Sequence, residues 1–332
     1  MKKRYLPKLP WAITWTIFPK WTIRKMVFVG IMIATCVVFT IVGTQIVPAA
    51  SIPTIKYSFI SLPVKITGLI FGPVIGFFVG AVSDILSMLF IPPSAYSPYY
   101  TLATGITGLV SGIVGWLFLT FIKFYFGGPY TINKYKVKIL KLKKSYEAAI
   151  LNNKEALAWK YKHKIIYYRN KILKIENSGT TLLSLNVNYF FSVVILSTVT
   201  LLLVYIIGFK ASQEAFDNVP FKSRWLLLTL SSAGIVMMIV FLTISRFKMS
   251  PTKFLIICPI IILSAMLEII NVPILSIADN QSLASGKSSL LLTWIFSHVI
   301  TSPLKMWFNL FVIYYSYRVI SPLVYKNNDL GY

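Results

Sequence analysis

Four charged side chains lie inside otherwise apolar runs of this chain: Lys65, Asp84, Glu268 and Lys305, with His298 close to the last. Charge in hydrocarbon is costly, so such groups turn into the interior of a helix bundle, where they usually mark a substrate or ion path. Two are basic and two acidic, so they can equally cancel as interior ion pairs that fix helix packing. The stretch LIFGPVIGFFVGAVSDILSMLF (69–90) adds a geometric hint. Its glycines recur every fourth residue, at Gly72, Gly76 and Gly80, and the next step of four is Asp84. Each such step turns a helix by about 400°, which keeps Gly76, Gly80 and Asp84 within about 80° of one another. Asp84 therefore belongs to a close-packed face. Lys65 and Asp84 lie about 10 Å and 16 Å from the turn at Gly72-Pro73 on adjacent helices. A lysine side chain spans that difference, so a Lys65–Asp84 pair is expected.

Other chemistry finds little footing. SLASGKSSL (282–290) has the tail of a phosphate loop, but Gln281 stands where the first glycine belongs and a span follows. There is no nucleophile elbow, zinc motif or acid–base carboxylate pair. No catalytic residue, metal ligand or cofactor site is assigned, and the chain reads as a non-enzyme. Cys36 and Cys258 both sit in apolar runs and read as small core residues rather than a disulfide or a metal site.

The elements that must hold these residues are membrane helices. Of 332 residues 56% are hydrophobic and 13% charged, about half the usual charged share of soluble domains. Eight apolar runs are long enough, or nearly so, to cross a bilayer: 26–48, 57–71, 73–92, 100–126, 187–209, 223–246, 252–276 and 288–320. The second is short, at about 22 Å, and must rely on protein neighbours. Residues 26–48 read as a retained first span. The net charge of +24 does not point to nucleic acid, because the basic residues cluster beside spans. Seven Lys/Arg and no acid fall in 1–25, and thirteen Lys/Arg against three Glu fall in 128–186. By the positive-inside rule both termini and the insert are cytoplasmic, and the loops 47–56, 93–99, 210–222 and 277–287 are external. The insert lacks Pro and Gly over its basic core and is expected to form one or two helices lying on anionic headgroups or touching a cytosolic partner. The external loop IPPSAYSPYY (91–100) suits an interfacial aromatic belt or a lid of stacking rings.

Three stretches then carry a resemblance: YSFISLPVKITGLIFGPVIGFFVGAVSDIL, PPSAYSPYYTL and ATGITGLVSGIVG, all within residues 57–125. Together they resemble the substrate-binding S component of an energy-coupling factor (ECF) vitamin transporter, nearest the folate family. Gly30-Ile-Met-Ile-Ala34 resembles the small-xxx-small motif by which S components dock to the shared T component. Similarity returns more weakly at Asn271-Val-Pro and in SPLKMWFNLFVIYY (302–315).

The resemblance implies an all-α integral membrane protein of a bacterial cell membrane: a six-helix S-component bundle, here with two extra spans and the basic insert. The segments would be a cytoplasmic start (1–25), core helices (26–126), the insert (127–186), the extra spans (187–251) and the last core helices with a short tail (252–332). It implies a vitamin-capture subunit that docks to a T component carrying two ATPases. Lys65 and Lys305 would then meet carboxylates of a folate-like ligand. Asp84 would accept from pterin N–H groups or neutralise Lys65. Tyr57, Tyr96 and Tyr100 would stack on the ligand or close the lid, and Asn271 would act as donor and acceptor. Gly30 and Ala34 would face the T component. The alternatives are a riboflavin or other vitamin S component, and a stand-alone transporter in which the charged groups relay ions. A third is a membrane scaffold whose basic insert binds a cytosolic protein.

Overall fold

The structure, a computed structural model, describes residues 23–46, 60–90, 97–210, 223–283 and 288–325, and among these there is no strand. Each of the eight apolar runs holds a helix. The first is α1 (Ile23–Ile46), followed by the short pair α2 (Leu62–Phe71) and α3 (Pro73–Ser87). Next comes α4 (Pro98–Gly115), which continues through a π-helical stretch (Trp116–Ile122) into α5 (Lys123–Phe126). The basic insert forms α6 (Pro129–Leu151) and α7 (Glu155–Ser178). The chain returns to apolar helices in α8 (Leu182–Tyr205), α9 (Arg224–Lys248), α10 (Pro251–Leu283) and α11 (Ser288–Tyr325). Among the described residues, five helical segments are long and apolar enough to cross a membrane, and α2 and α3 are shorter apolar helices.

Local chemistry sets the boundaries. Gly72 adopts φ +98° between α2 and α3, a conformation that favours glycine, and Pro73 opens the next helix where its missing N–H is not needed. Ser97 caps α4, Thr181 caps α8 and Ser223 caps α9 through their side-chain oxygens. Gly179 closes α7 in the left-handed region. Pro259, Pro273, Pro303 and Pro322 lie inside α10 and α11, where neighbouring helices can re-satisfy the freed carbonyls.

Packing explains the short helix. All ten residues of α2 are buried, enclosed by α1, α3, α4 and α11. Protein rather than lipid covers its ends. The α3–α4 seam is the tightest contact. A Cβ on Gly76 would run into the Gly108 carbonyl, one on Gly80 into the Thr104 carbonyl, and one on Gly112 into Pro73. These glycines let the backbones touch. α10 packs on both α4 and α11, while α8 lies on α10 and α9 on α11. Cys36 and Cys258 are buried, free core residues.

Candidate functional site

Polar residues on α10 and α11 each recur on one helix face. On α10 they are Glu268, Asn271 and Asp279; on α11 they are His298, Lys305 and Asn309. Spacings of three, seven and eleven residues return to one face of a helix, so each helix presents a polar stripe. The helices pack against each other, and the stripes meet in antiparallel order. His298 Nε2 lies 2.8 Å from Asp279 Oδ2, and Lys305 Nζ lies 3.0 Å from Glu268 Oε2. The second contact is an ion pair without hydrogen-bond alignment, since Glu268 Oε2 has no hydrogen-bond partner.

Helices α2 and α4 close the other side. Lys65 on α2 donates to Asn309 Oδ1 at 3.1 Å. Asn271 donates to Thr107 Oγ1 on α4 at 2.9 Å. At the end of the bundle where α4 begins, the Tyr100 hydroxyl donates to Asp279 Oδ1 at 2.5 Å and lies 3.1 Å from Ser282 Oγ. Ser97 donates to Gln281 at 3.1 Å. Lys65, Asp279, His298, Lys305 and Asn309 are all at most 5% exposed. Such groups persist in an interior only when paired or hydrogen-bonded. Besides Glu268 Oε2, two buried atoms of this seam lack a hydrogen-bond partner among the described residues: Asn271 Oδ1 and His298 Nδ1. An unmet buried polar atom costs about 1–3 kcal/mol, which a ligand donor or acceptor can recover.

The structure brings together Lys65, Lys305, Asn271 and Tyr100 of the sequence-derived set, and it adds Asp279, His298, Asn309 and Thr107. It corrects the expected Lys65–Asp84 pair. Asp84 accepts from Thr101 Oγ1 at 2.5 Å, while Lys65 reaches Asn309 on α11. The glycine row of α3 faces α4, so the carboxylate in line with it meets α4 too, whereas Lys65 points to the opposite side of α2. A second correction concerns 277–287, read as an external loop. Helix α10 runs on to Leu283, which places Asp279 inside the bundle. A signal for it was present in the spacing Glu268–Asn271–Asp279. Tyr57 and Tyr96 lie outside the described residues. Gly30 and Ala34 are exposed on α1, and a Cβ on Gly30 would meet nothing within 4 Å.

Residues 20–123 match the family model of the ECF-type riboflavin transporter S component. The folate transporter FolT of Clostridium novyi (strain NT) is 35% identical over 89 residues, which are 27% of this chain and 51% of that protein. The chain thus spans about half the length of the curated relative it matches. No solved structure matches it significantly. The N-terminal helices are therefore similar to an ECF S component, with a folate transporter among the relatives, and the resemblance seen in the motifs holds.

Proposed function

Taking residues 20–123 as an S-component segment, we propose that the chain is the vitamin-capture subunit of an ECF importer. It takes a flat, nitrogen-rich vitamin, folate-like in chemistry, from outside. A T component and two ATPases carry the energy, and this chain performs no chemistry of its own. The observation that carries the reading is the buried polar seam of α2, α4, α10 and α11, built against helices that are similar to an S component. Its unmet acceptor, Asn271 Oδ1, suits an N–H donor on a heterocycle. Lys65 and Lys305 suit ligand carboxylates through charge-assisted bonds. Tyr100, near the end of the seam, supplies an aromatic face, and Asp84 lies beside it on the α3–α4 seam. Tyr57 and Tyr96 complete the proposed lid.

The T component would dock on α1. Gly30 and Ala34 are exposed there, with open space beside Gly30. Both termini and the basic hairpin would be cytoplasmic.

Riboflavin is the second reading, favoured by the description of the matching family model. Purification from cells followed by absorption spectroscopy of the bound small molecule separates the two. A near-ultraviolet pterin band is expected, and a yellow flavin spectrum would overturn folate. In the same preparation Lys65→Met should weaken vitamin binding about 10- to 100-fold, as for loss of a charge-assisted hydrogen bond of about 1.5–3 kcal/mol. Unchanged affinity in a folded Lys65→Met protein removes Lys65 from the site.

A further inference from the structure

The apolar helix that begins as α4 ends at α5, where Gly127-Gly128 turns the chain into the basic helix α6, with Gly128 at φ +126°. A cleft of about 520 Å³ opens at this junction, within the range of about 300–1,000 Å³ usual for small-ligand sites. Its floor is apolar and aromatic: Phe121 and Tyr125, whose rings lie 4.8 Å apart, and Leu183 from the first turn of α8. Its rim is polar and basic: Thr131, Lys134 and Lys138. Spacings of three and seven residues put these three on one face of α6. Among the described residues, no acidic one lines the cleft.

We propose that this cleft seats the headgroup of one anionic glycerophospholipid, with its phosphate on Lys134, Lys138 and the Thr131 hydroxyl and its first acyl carbons on Phe121, Tyr125 and Leu183. Three observations select a lipid over a soluble anion or a protein. The floor belongs to the ends of two membrane-length helices, so it lies at the level of the headgroups. Leu182 and Leu183 are 74% and 59% exposed, so apolar surface continues outward from the cleft. Tyrosines beside lysines at the end of a span form the usual interfacial anchor, and basic pockets at such ends bind lipid headgroups. The bound lipid would tie the basic hairpin to the membrane at its root, where α6 and α7 leave the bundle. This inference is independent of which vitamin is carried.

The test uses the full chain in nanodiscs of phosphatidylcholine containing a minor fraction of phosphatidylglycerol, followed by gentle extraction and native mass spectrometry. One retained phosphatidylglycerol per chain is expected. The pair Lys134→Gln/Lys138→Gln should lower its retention about 25-fold, since each near-surface lysine contributes roughly a fivefold factor. The control pair Lys143→Gln/Lys144→Gln removes the same charge, but from positions about 15 Å farther along α6 at Lys144 than at Lys134. It should change retention less than about twofold if the cleft, rather than general attraction, holds the lipid. All four lysines are exposed, and helicity and monodisperse elution verify the fold. Equal loss in both pairs, or no loss in the first, overturns the site. Displacement of the lipid by inorganic phosphate alone would assign the cleft to a soluble anion instead.

Discussion

Lys305 and Glu268 form a charge pair inside the bundle, with side chains 5% and 14% exposed. Removing one partner of such a pair strands the other charge, at about 3–5 kcal/mol. Lys305→Met is therefore expected to destabilise the protein by about 3 kcal/mol or more in a denaturation series in detergent, and Lys305→Met/Glu268→Leu should recover most of that loss. At this scale the sequence exposed which residues were unusual but not their partners. A charged residue in an apolar run is visible in one dimension. That Asp84 meets Thr101 and Lys65 meets Asn309 depends on which side of α2 faces which neighbour, and no spacing within α2 or α3 encodes that.

The glycine rows act at the scale of the element. In the α3–α4 seam a Cβ on Gly108 would fall on the Gly76 carbonyl, a backbone group that cannot move aside. Gly108→Ala should cost about 1–3 kcal/mol, as overpacking does, read as a lower unfolding temperature. Gly30 is the contrast, with open space around it. Gly30→Leu should change stability by less than about 0.5 kcal/mol, as at ordinary surface sites. It should nevertheless reduce co-purification with a co-expressed T component. Loss of stability without loss of co-purification would reverse the assignment. Helix α2 carries a related lesson. Its ten residues span about 15 Å, too short for a bilayer. It persists because every one of its residues is buried by protein, and its lysine is tolerable for the same reason.

At the scale of the molecule, α6 and α7 form a hairpin that pairs mainly with itself and joins the bundle through α5. Tyr135 and Tyr168 stack across it at 5.3 Å, and Lys171 lies 4.6 Å from the Tyr167 ring. Gly128 and Gly179 bracket the hairpin with positive φ. Deleting 129–178 and rejoining those glycines should leave vitamin affinity within about twofold, because no polar residue of the seam lies in the hairpin. A deletion that abolishes vitamin binding while the bundle stays folded would place part of the site on the hairpin, whereas a full chain that binds no vitamin and loses its activity without the insert would favour the scaffold reading. Helices α8 and α9 behave differently. Gly234 of α9 lies so close to α11 that a Cβ there would come within 2.9 Å of Met306 and Pro303, and α8 packs on α9 and α10, so both helices are part of the packed bundle.

The sequence by itself determined the helical, membrane-type class, the eight apolar segments, the basic hairpin and the S-component resemblance of the first helices. Each rests on composition or on contiguous motifs, which survive without coordinates. The tertiary structure decided the site. Asp279 entered it because α10 continues past its expected end. His298, Lys305 and Asn309 entered it because α11 lies antiparallel to α10 in a register that sets seven- and eleven-residue spacings opposite one another. Lys65 joined α11 rather than Asp84 because α2 is enclosed on all sides. Partner choice for a buried charge is a property of helix azimuth and register, which packing between distant segments sets and no single stretch of chain contains.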